Sequence, residues 1–96
     1  MSAPPRQTQT HASVVARVLA ERAASPRRWA QRPRVVDLFS GAGGASWGAT
    51  LAGCNVVACV NHWDVAIRSH AQAVPWAAHF CEDLERLSPM ALPPHD

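Results

Sequence analysis

The feature that most constrains the fold is a glycine-rich turn between an apolar run and a helical pattern. Residues 35–39 are mostly apolar, residues 40–46 are small, and residues 44–52 have the spacing of a helix. Glycines let backbone amides approach a ligand that a Cβ would block. The start of a helix adds unpaired N–H donors and the positive end of a dipole. The pattern therefore predicts a strand, a loop and a helix that together hold a nucleotide-like cofactor.

Two further strand patterns and a second helix pattern accompany this turn. Residues 55–60 form a nearly continuous apolar run, which is typical of a parallel strand covered on both faces. Residues 65–73 favour a helix that Pro75 ends, and a third short strand is predicted near residues 78–81. The first strand is predicted over residues 34–38. This β-α-β-α-β order predicts the α/β class, with an open parallel sheet and right-handed crossovers.

Single residues predict where the two helices begin and end and which face they bury. Gly53 stands where a C′ glycine would close the first helix. Asp64 is the predicted N-cap of the second helix. The buried face of that second helix is predicted to contain Ala66, Ile67, His70 and Val74. His70 and His79 are interpreted as satisfied helix or core histidines rather than metal ligands.

The carboxyl ends of the three predicted strands form the expected ligand site. The loops at residues 39–44, 61–64 and 82–84 would meet at that edge of the sheet. The run Gly41-Ala42-Gly43-Gly44-Ala45-Ser46 supplies the first two glycines of the dinucleotide pattern G-x-G-x-x-G, with serine at the third position. A dinucleotide site would have an acid at the end of the second strand, where this chain has Asn61. A nicotinamide-dependent enzyme is therefore kept as an alternative.

The first third of the chain is basic. Residues 1–34 contain seven arginines and one acid, whereas the remainder is mildly acidic. Residues 11–24 favour a helix that packs on the domain edge, and residues 26–33 are expected to be a basic linker. Such an extension suits nucleic acid through counterion release, and a small basic binding module is an alternative function. The other interpretations are a solvated, poorly ordered leader and an organelle transit peptide.

The cysteines and the hydropathy pattern indicate the cellular compartment of the protein. Cys54, Cys59 and Cys81 fit no zinc spacing and are odd in number, so we expect free thiols in a reducing, cytoplasmic compartment. No apolar run approaches the ~20 residues that a membrane span needs, so no membrane association is expected. No metal site is predicted.

The glycine-rich turn and the chain that follows it resemble a known family. The run Asp37-Leu38-Phe39-Ser40-Gly41-Ala42-Gly43-Gly44 closely resembles the first motif of the DNA cytosine-5 methyltransferases. Further matches at the family's spacing are Ala52-Gly53, Ala66, His70, Pro75, Asp83-Leu84 and residues 92–96. The resemblance covers residues 34–96. It implies the Rossmann-like fold of a methyltransferase that uses S-adenosylmethionine, as in DNA restriction-modification systems.

The resemblance also implies a set of site residues. The implied cofactor-binding residues are Asp37, Phe39, Ser40, Gly41, Ala42, Gly43, Gly44, Asn61, His62, Asp83 and Leu84. Phe39 would pack on the adenine, and the backbone of residues 40–44 would contact the methionine part of S-adenosylmethionine. Asp37 would lie near the amino group of that methionine part.

The remaining positions are implied to hold the nucleoside. Asn61 stands where the family usually has a glutamate that holds the ribose hydroxyls. An amide bonds a hydroxyl without charge assistance, so we expect weaker ribose binding, with help from Asp64. His62 would lie against the adenine. Asp83 would accept a hydrogen bond from the adenine amino group, and the Leu84 N–H would donate one to the ring.

Each assignment has a structural alternative. For Asp37 it is a bond to the backbone of the glycine turn alone, and for Phe39 it is a place in the core. The family often has Asp where this chain has Trp63. The structural alternative for His62 and Trp63 is that they cap the second helix and cover the sheet edge. For Asp83 it is merely to end a strand.

The family's catalytic motif is absent from this sequence. In the family, a Pro-Cys pair supplies the cysteine that attacks C6 of a flipped-out cytosine before methyl transfer to C5. Cys81 precedes Glu82 and does not stand in that context. We therefore expect the N-terminal, cofactor-binding part of a methyltransferase, truncated before the catalytic strand and inactive alone. DNA would be its partner, through the missing C-terminal part and the basic extension.

Overall fold

The computed structural model describes residues 10–38 and 44–96 as a three-stranded sheet with helices between the strands and before them. The elements are α1 His11–Ala24, α2 Pro26–Ala30, β1 Arg34–Asp37, α3 Gly44–Leu51, β2 Asn55–Asn61, α4 Asp64–Ala73, β3 Ala78–Cys81 and a 3₁₀ turn Pro89–Ala91. The three strands and the two helices that connect them lie where the sequence predicts them, to within a residue or so.

The sheet is parallel throughout, with the strand order β1-β2-β3. Asp37 on β1 pairs with Cys59 on β2, and Cys59 pairs with His79 on β3, so these three residues form one row across the sheet. The register shifts between Val35 and Val36, where β2 contributes one extra residue. The α/β class and the parallel sheet predicted from the sequence are confirmed.

The core lies between β2 and the helices that follow β1 and β2. Val56, Cys59, Val74 and Ala77 form one buried group, and the partly buried Val35, Ala49 and Trp76 pack against it. Ala66 and His70 of α4 are also buried. The buried face predicted for this helix is therefore confirmed, with Ile67 at its margin.

The ends of the two connecting helices differ in how well the sequence predicts them. Gly53 has φ +94°, a left-handed conformation that favours glycine, so the predicted close of α3 is confirmed. The predicted N-cap Asp64 is wrong: Trp63 takes the N-cap position, and Asp64 is the first helical residue. Before the helix begins, the Asn61 side chain holds the turn, because its Oδ1 accepts from the Trp63 N–H at 2.8 Å.

The basic extension is folded from residue 10 onward. Thr10 caps α1 by accepting from the Ser13 N–H at 3.1 Å. Val14 and Val18 of α1 are buried with Trp29, and the partly buried Trp47 and Trp76 of the following domain pack against them. Helix α1 thus packs on the face of the sheet that α3 and α4 cover. This agrees with the predicted packing on the domain edge and contradicts a poorly ordered leader for residues 10–30.

Residues 26–30 form α2 rather than the predicted basic linker. Trp29 is buried against α1, and the Arg22 and Arg32 guanidinium carbons lie 5.3 and 4.1 Å from its ring centroid. Pro26 takes an early position in the helix, where its missing N–H has no cost. Trp29 is therefore flanked by one arginine from α1, Arg22, and one from the predicted linker, Arg32.

The last residues return to the outer edge of β1. The Asp96 N–H donates to the Arg34 carbonyl at 3.0 Å. The Asp96 carboxylate accepts from the Arg34 N–H at 2.7 Å and pairs with its guanidinium at 3.2 Å. Within residues 10–38 and 44–96, no helix has the length and apolar character needed to cross a membrane.

Candidate functional site

A cavity of about 150 Å³ lies beyond the carboxyl ends of the strands. We refer to it as the strand-edge cavity; its lining residues are Leu38, Asn61, His62, Glu82, Asp83 and Leu84. Leu38 follows β1, whereas the others end or follow β2 and β3. The parallel strands place these loops side by side, because the carboxyl ends of parallel strands share one edge.

The strand-edge cavity brings together four of the predicted cofactor-binding residues, Asn61, His62, Asp83 and Leu84. Asp37 lies in an adjacent cavity of about 310 Å³, which Leu38 and Ser46 also line. Gly44 is the exposed first residue of α3. The other predicted positions, residues 39–43, lie outside the described residues.

Asn61 is held by the turn that it starts. Its Oδ1 accepts from the Trp63 N–H at 2.8 Å, and its carbonyl accepts from the Glu82 N–H at 3.0 Å. This geometry ties the loop after β2 to the loop after β3. The Asn61 side chain thus faces the cavity as an amide whose oxygen already supports the local backbone.

His62, Trp63 and Asp64 follow on the same loop. His62 lines the cavity, is exposed, and accepts a weak hydrogen bond at its carbonyl from the Cys81 thiol at 3.8 Å. Trp63 is 58% exposed and makes no side-chain cap bond. Asp64 pairs with Arg68 at 3.2 Å and does not line the cavity, so the expected help from Asp64 in ribose binding has no support in this arrangement.

Asp83 starts the turn after β3. Its Oδ1 accepts from the Glu85 N–H at 3.0 Å, and its carbonyl accepts from the backbone of Arg86 and Leu87. A carboxylate has about four acceptor sites, so this local bond leaves capacity for a ligand donor. Asp83 therefore both shapes its loop and presents negative charge to the cavity.

Behind this edge lies a second group of polar side chains, the buried polar cluster: Asp37, Ser46, Cys59, His70 and His79. The Ser46 hydroxyl donates to Asp37 Oδ2 at 2.8 Å and lies 2.8 Å from His70 Nε2. His70 Nδ1 lies 3.3 Å from His79 Nε2. The sheet row supplies Asp37, Cys59 and His79 to this cluster, and helices α3 and α4 cover it.

One assignment of protons in the buried polar cluster is compatible with an ionised Asp37 and two neutral imidazoles. An ionised carboxylate only accepts, so Ser46 must donate to Asp37 and accept from His70 Nε2–H. His70 then has a lone pair on Nδ1, which accepts from His79 Nε2–H. The Cys59 thiol, 3.9 Å from Ser46 Oγ, is the weak donor of that pair. The Ser46 hydroxyl and the ring nitrogens that face one another thus form one connected set of hydrogen bonds.

Burial decides the ionisation of this cluster. Burial lowers the pKa of His70, and the neighbouring His79 lowers it further, although Asp37 opposes this effect. Burial also lowers the pKa of His79, against opposing backbone hydrogen bonds. Burial raises the pKa of the Cys59 thiol to about 12. At neutral pH the two imidazoles are therefore neutral and the thiol is protonated.

Comparison with solved structures finds a relative of this chain. No protein-family model matches the sequence, and no curated protein matches it. A solved structure does match: a prophage-encoded protein of E. coli assigned as a DNA modification methyltransferase. The TM-score is 0.58 and the sequence identity is 41%, over 60% of this chain.

The chain is similar to part of a DNA modification methyltransferase. The match covers 17% of the relative's chain, so the similarity concerns a short part of that protein. Both fold and sequence are shared over this part, which agrees with the Rossmann-like character expected from the glycine turn. The similarity supports a methyltransferase in general and does not distinguish which base is modified.

The sequence interpretation missed the buried polar cluster. It treated Ser46 as a substitute for a glycine, and it treated His70 and His79 as separate core residues. One signal was available: Cys59 stands two residues before Asn61, and His79 stands two residues before Cys81, at equivalent places in the paired strands. Aligning the ends of two parallel strands places Cys59 and His79 side by side.

Proposed function

We propose that residues 34–96 are the S-adenosylmethionine-binding part of a DNA cytosine-5 methyltransferase. One observation carries the proposal: Asn61, His62, Asp83 and Leu84, which the family resemblance assigns to the nucleoside, line one cavity. They come from two loops about 20 residues apart in sequence and meet only because β2 and β3 are parallel neighbours. The similarity to a DNA modification methyltransferase supports the same conclusion.

The proposed roles follow from the groups at the cavity. The Asp83 carboxylate accepts from the adenine amino group, and the Leu84 N–H donates to the ring. His62 is exposed on the loop after β2 and lies against the adenine face. Asn61 bonds a ribose hydroxyl, without the charge that a carboxylate would add.

The methionine part of the cofactor is proposed to lie on the other side of Leu38, toward Asp37. The Ser46 hydroxyl occupies one site on Asp37 Oδ2 at 2.8 Å, which orients the carboxylate. An oriented carboxylate accepts from a cationic amino group with a charge-assisted bond. The loop at residues 39–43 would complete this half of the site.

The proposed function limits what this chain does with the cofactor. S-adenosylmethionine supplies an activated methyl group, and this chain binds and orients it. Cytosine-5 methylation also needs a cysteine nucleophile on the base. Cys54 is half-buried and Cys59 is buried, and the exposed Cys81 follows Phe80 rather than a proline, so no cysteine stands in the family's Pro-Cys context.

Calorimetry on the full chain tests cofactor binding. S-adenosylmethionine should bind and NAD should not. Asp83→Asn keeps an oxygen for the Glu85 N–H but removes the charge, so the Kd for S-adenosylmethionine should rise about tenfold. The matched control is Glu85→Gln, an exposed acid two residues away that should change the Kd less than twofold (roughly 0.4 kcal/mol). Tighter binding of NAD would identify a dinucleotide enzyme instead.

A methylation assay tests the second half of the proposal. Purified chain is incubated with methyl-labelled S-adenosylmethionine and duplex DNA, and label in cytosine is counted. We expect none, because the chain has no Pro-Cys pair. Incorporated label would contradict the assignment of this chain to donor binding alone.

DNA is the proposed partner, and the basic extension is a proposed contact with its phosphates. Arg27 and Arg28 are exposed on α2. Contacts of this kind weaken with salt in proportion to the phosphates neutralised. Replacing both arginines with Gln should lower the salt slope of DNA binding by about two. An unchanged slope would remove α2 from the DNA contact.

A further inference from the structure

The buried polar cluster contains three side chains whose atoms bind transition metals. Cys59, His70 and His79 each offer one ligand atom, and these atoms all lie within 4.8 Å of one another. Cys59 and His70 are fully buried, and His79 is half-buried. Because they come from β2, α4 and β3, the fold itself holds the three side chains together.

We propose that Cys59, His70 and His79 form a binding site for a zinc-type transition-metal ion. Thiolate and imidazole are the ligands that Zn²⁺ and Co²⁺ prefer in proteins. No carboxylate belongs to the set of three, so Mg²⁺ and Ca²⁺ are disfavoured. The site lies behind the strand-edge cavity, and the proposal does not depend on the proposed function.

The distances between the two rings fit one shared ion. His70 Nδ1 and His79 Nε2 are 3.3 Å apart. Two nitrogens at about 2.0–2.1 Å from a tetrahedral zinc lie about 3.3 Å from each other. The ring centroids are 5.3 Å apart, and two imidazoles on one tetrahedral zinc would have centroids about 5.2 Å apart. The rings therefore need little movement to accept an ion.

The sulfur needs a small adjustment. A thiolate and an imidazole on one tetrahedral zinc have their ligand atoms about 3.6 Å apart. Cys59 Sγ lies within 4.8 Å of the ring nitrogens, so each sulfur–nitrogen distance needs to shorten by no more than about 1.2 Å. Three protein ligands leave a fourth position for water, as in open zinc sites.

The other ring nitrogen of His70 has the support that metal-binding histidines have. His70 Nε2–H donates to Ser46 Oγ at 2.8 Å, and Ser46 donates to Asp37 at 2.8 Å. Such an outer pair fixes the tautomer that leaves Nδ1 with its lone pair toward the ion. Ser46 and Asp37 therefore act as positioning residues for His70.

Binding of the metal ion releases one proton. The Cys59 thiol loses its proton to solvent when the sulfur–metal bond forms, and the charge of the ion offsets the effect of burial on that thiol. The His79 proton moves from Nε2 to Nδ1, so the ring stays neutral and its Nε2 lone pair faces the ion.

Cobalt titration of the full chain, first stripped with chelator and checked for its fold by circular dichroism, tests the site. One equivalent of Co²⁺ should give tetrahedral visible bands and a thiolate-to-cobalt charge-transfer band in the near ultraviolet. Zn²⁺ should abolish these bands and Mg²⁺ should not. A folded chain that gives no charge-transfer band overturns the proposal.

Variants assign the band to these residues. Cys59→Ala should abolish the charge-transfer band, and His79→Ala, at a half-buried position, should raise the Kd for Co²⁺ more than about tenfold. Ser46→Ala should keep the band and raise the Kd about 10- to 100-fold. Cys54→Ala and His95→Ala are the matched controls and should bind as the parent chain does. Loss of the band in Cys54→Ala, or full affinity in His79→Ala, contradicts the site.

Discussion

The strand-edge cavity and the buried polar cluster are built from similar side chains in opposite ways. At the edge, Asn61 and Asp83 each bond a backbone N–H two residues further along the chain. In the cluster, Ser46, His70 and His79 bond side chains from other elements. The side-chain bonds named at the edge thus lie within local turns, whereas those of the cluster join different strands and helices.

This difference predicts that substitutions in the two regions have different effects. A side chain that bonds the backbone of a turn at the strand edge can gain a ligand without disturbing the core, because the edge lies at the surface. When the partner of a buried polar group is removed, the polar atom left behind destabilises the fold by its full desolvation penalty. Changes at the edge should therefore affect binding, and changes in the cluster should affect stability.

The largest effect should come from removing the central histidine of the cluster. His70→Ala deletes a fully buried ring and leaves the Ser46 and His79 groups short of a partner. The free energy of unfolding should fall by about 2–4 kcal/mol. Urea denaturation in the presence of chelator measures it. The exposed His95→Ala should change it by less than about 0.5 kcal/mol, and equal effects of the two variants would erase the contrast between cluster and surface.

The pH dependence of stability should be the next largest effect. The pKa of His70 and that of His79 lie below the ordinary value of 6.5 in the folded chain, chiefly because of burial. Below about pH 6.5 the unfolded chain takes up protons that the folded chain resists, so stability falls as pH decreases. Urea midpoints from pH 8 to 5 in chelator should show this, and the double variant His70→Gln, His79→Gln should flatten the decline. A decline that persists unchanged in the double variant would place its origin elsewhere.

A smaller effect is expected at the edge, and on binding rather than stability. Asn61→Glu restores a charged acceptor toward the proposed ribose hydroxyls, so the Kd for S-adenosylmethionine should fall about tenfold. Asn61→Asp has the charge and also keeps an oxygen for the Trp63 N–H. Calorimetry and urea denaturation of both variants separate the two readouts. A large loss of stability without any change in Kd would show that Asn61 serves only the turn.

The smallest effect should come from Asp64. As an N-cap it would contribute about 1 kcal/mol, whereas an exposed ion pair with Arg68 contributes about 0.3–0.5 kcal/mol. Asp64→Ala should therefore lower the free energy of unfolding by no more than about 0.5 kcal/mol. In 0.5 M salt this difference should shrink, which an N-cap bond to backbone would not do.

How far the sequence predicts each region follows from how each is built. Asn61 and Asp83 could be placed because each follows a strand pattern, and the carboxyl ends of parallel strands share an edge. The predicted N-cap lies one residue too late: Trp63 holds this position, directly after a turn in which the Asn61 side chain accepts from the Trp63 N–H. At the edge, an error in the start of a helix moves the predicted cap by one residue and leaves the other predicted positions unchanged.

The cluster and the extension could not be placed in this way. Aligning the strand ends pairs Cys59 with His79, but their contact with His70 depends on how α4 packs on the sheet, which no local pattern contains. The burial of Trp29 likewise depends on α1 and on Trp47 and Trp76, which are distant in the sequence. A run of arginines beside prolines has the composition of a linker, and only packing makes it a helix.

The register shift between Val35 and Val36 has a consequence for how the chain tolerates changes in length. Downstream of the shift, Asp37, Cys59 and His79 stand in one row. An inserted residue at the shift itself would only restore a regular ladder, since β2 already has one residue more there. An insertion between Val36 and Asp37 would carry the carboxylate past Cys59 and turn it to the opposite face. A one-residue insertion in β1 should therefore be tolerated at this shift and be disruptive after it.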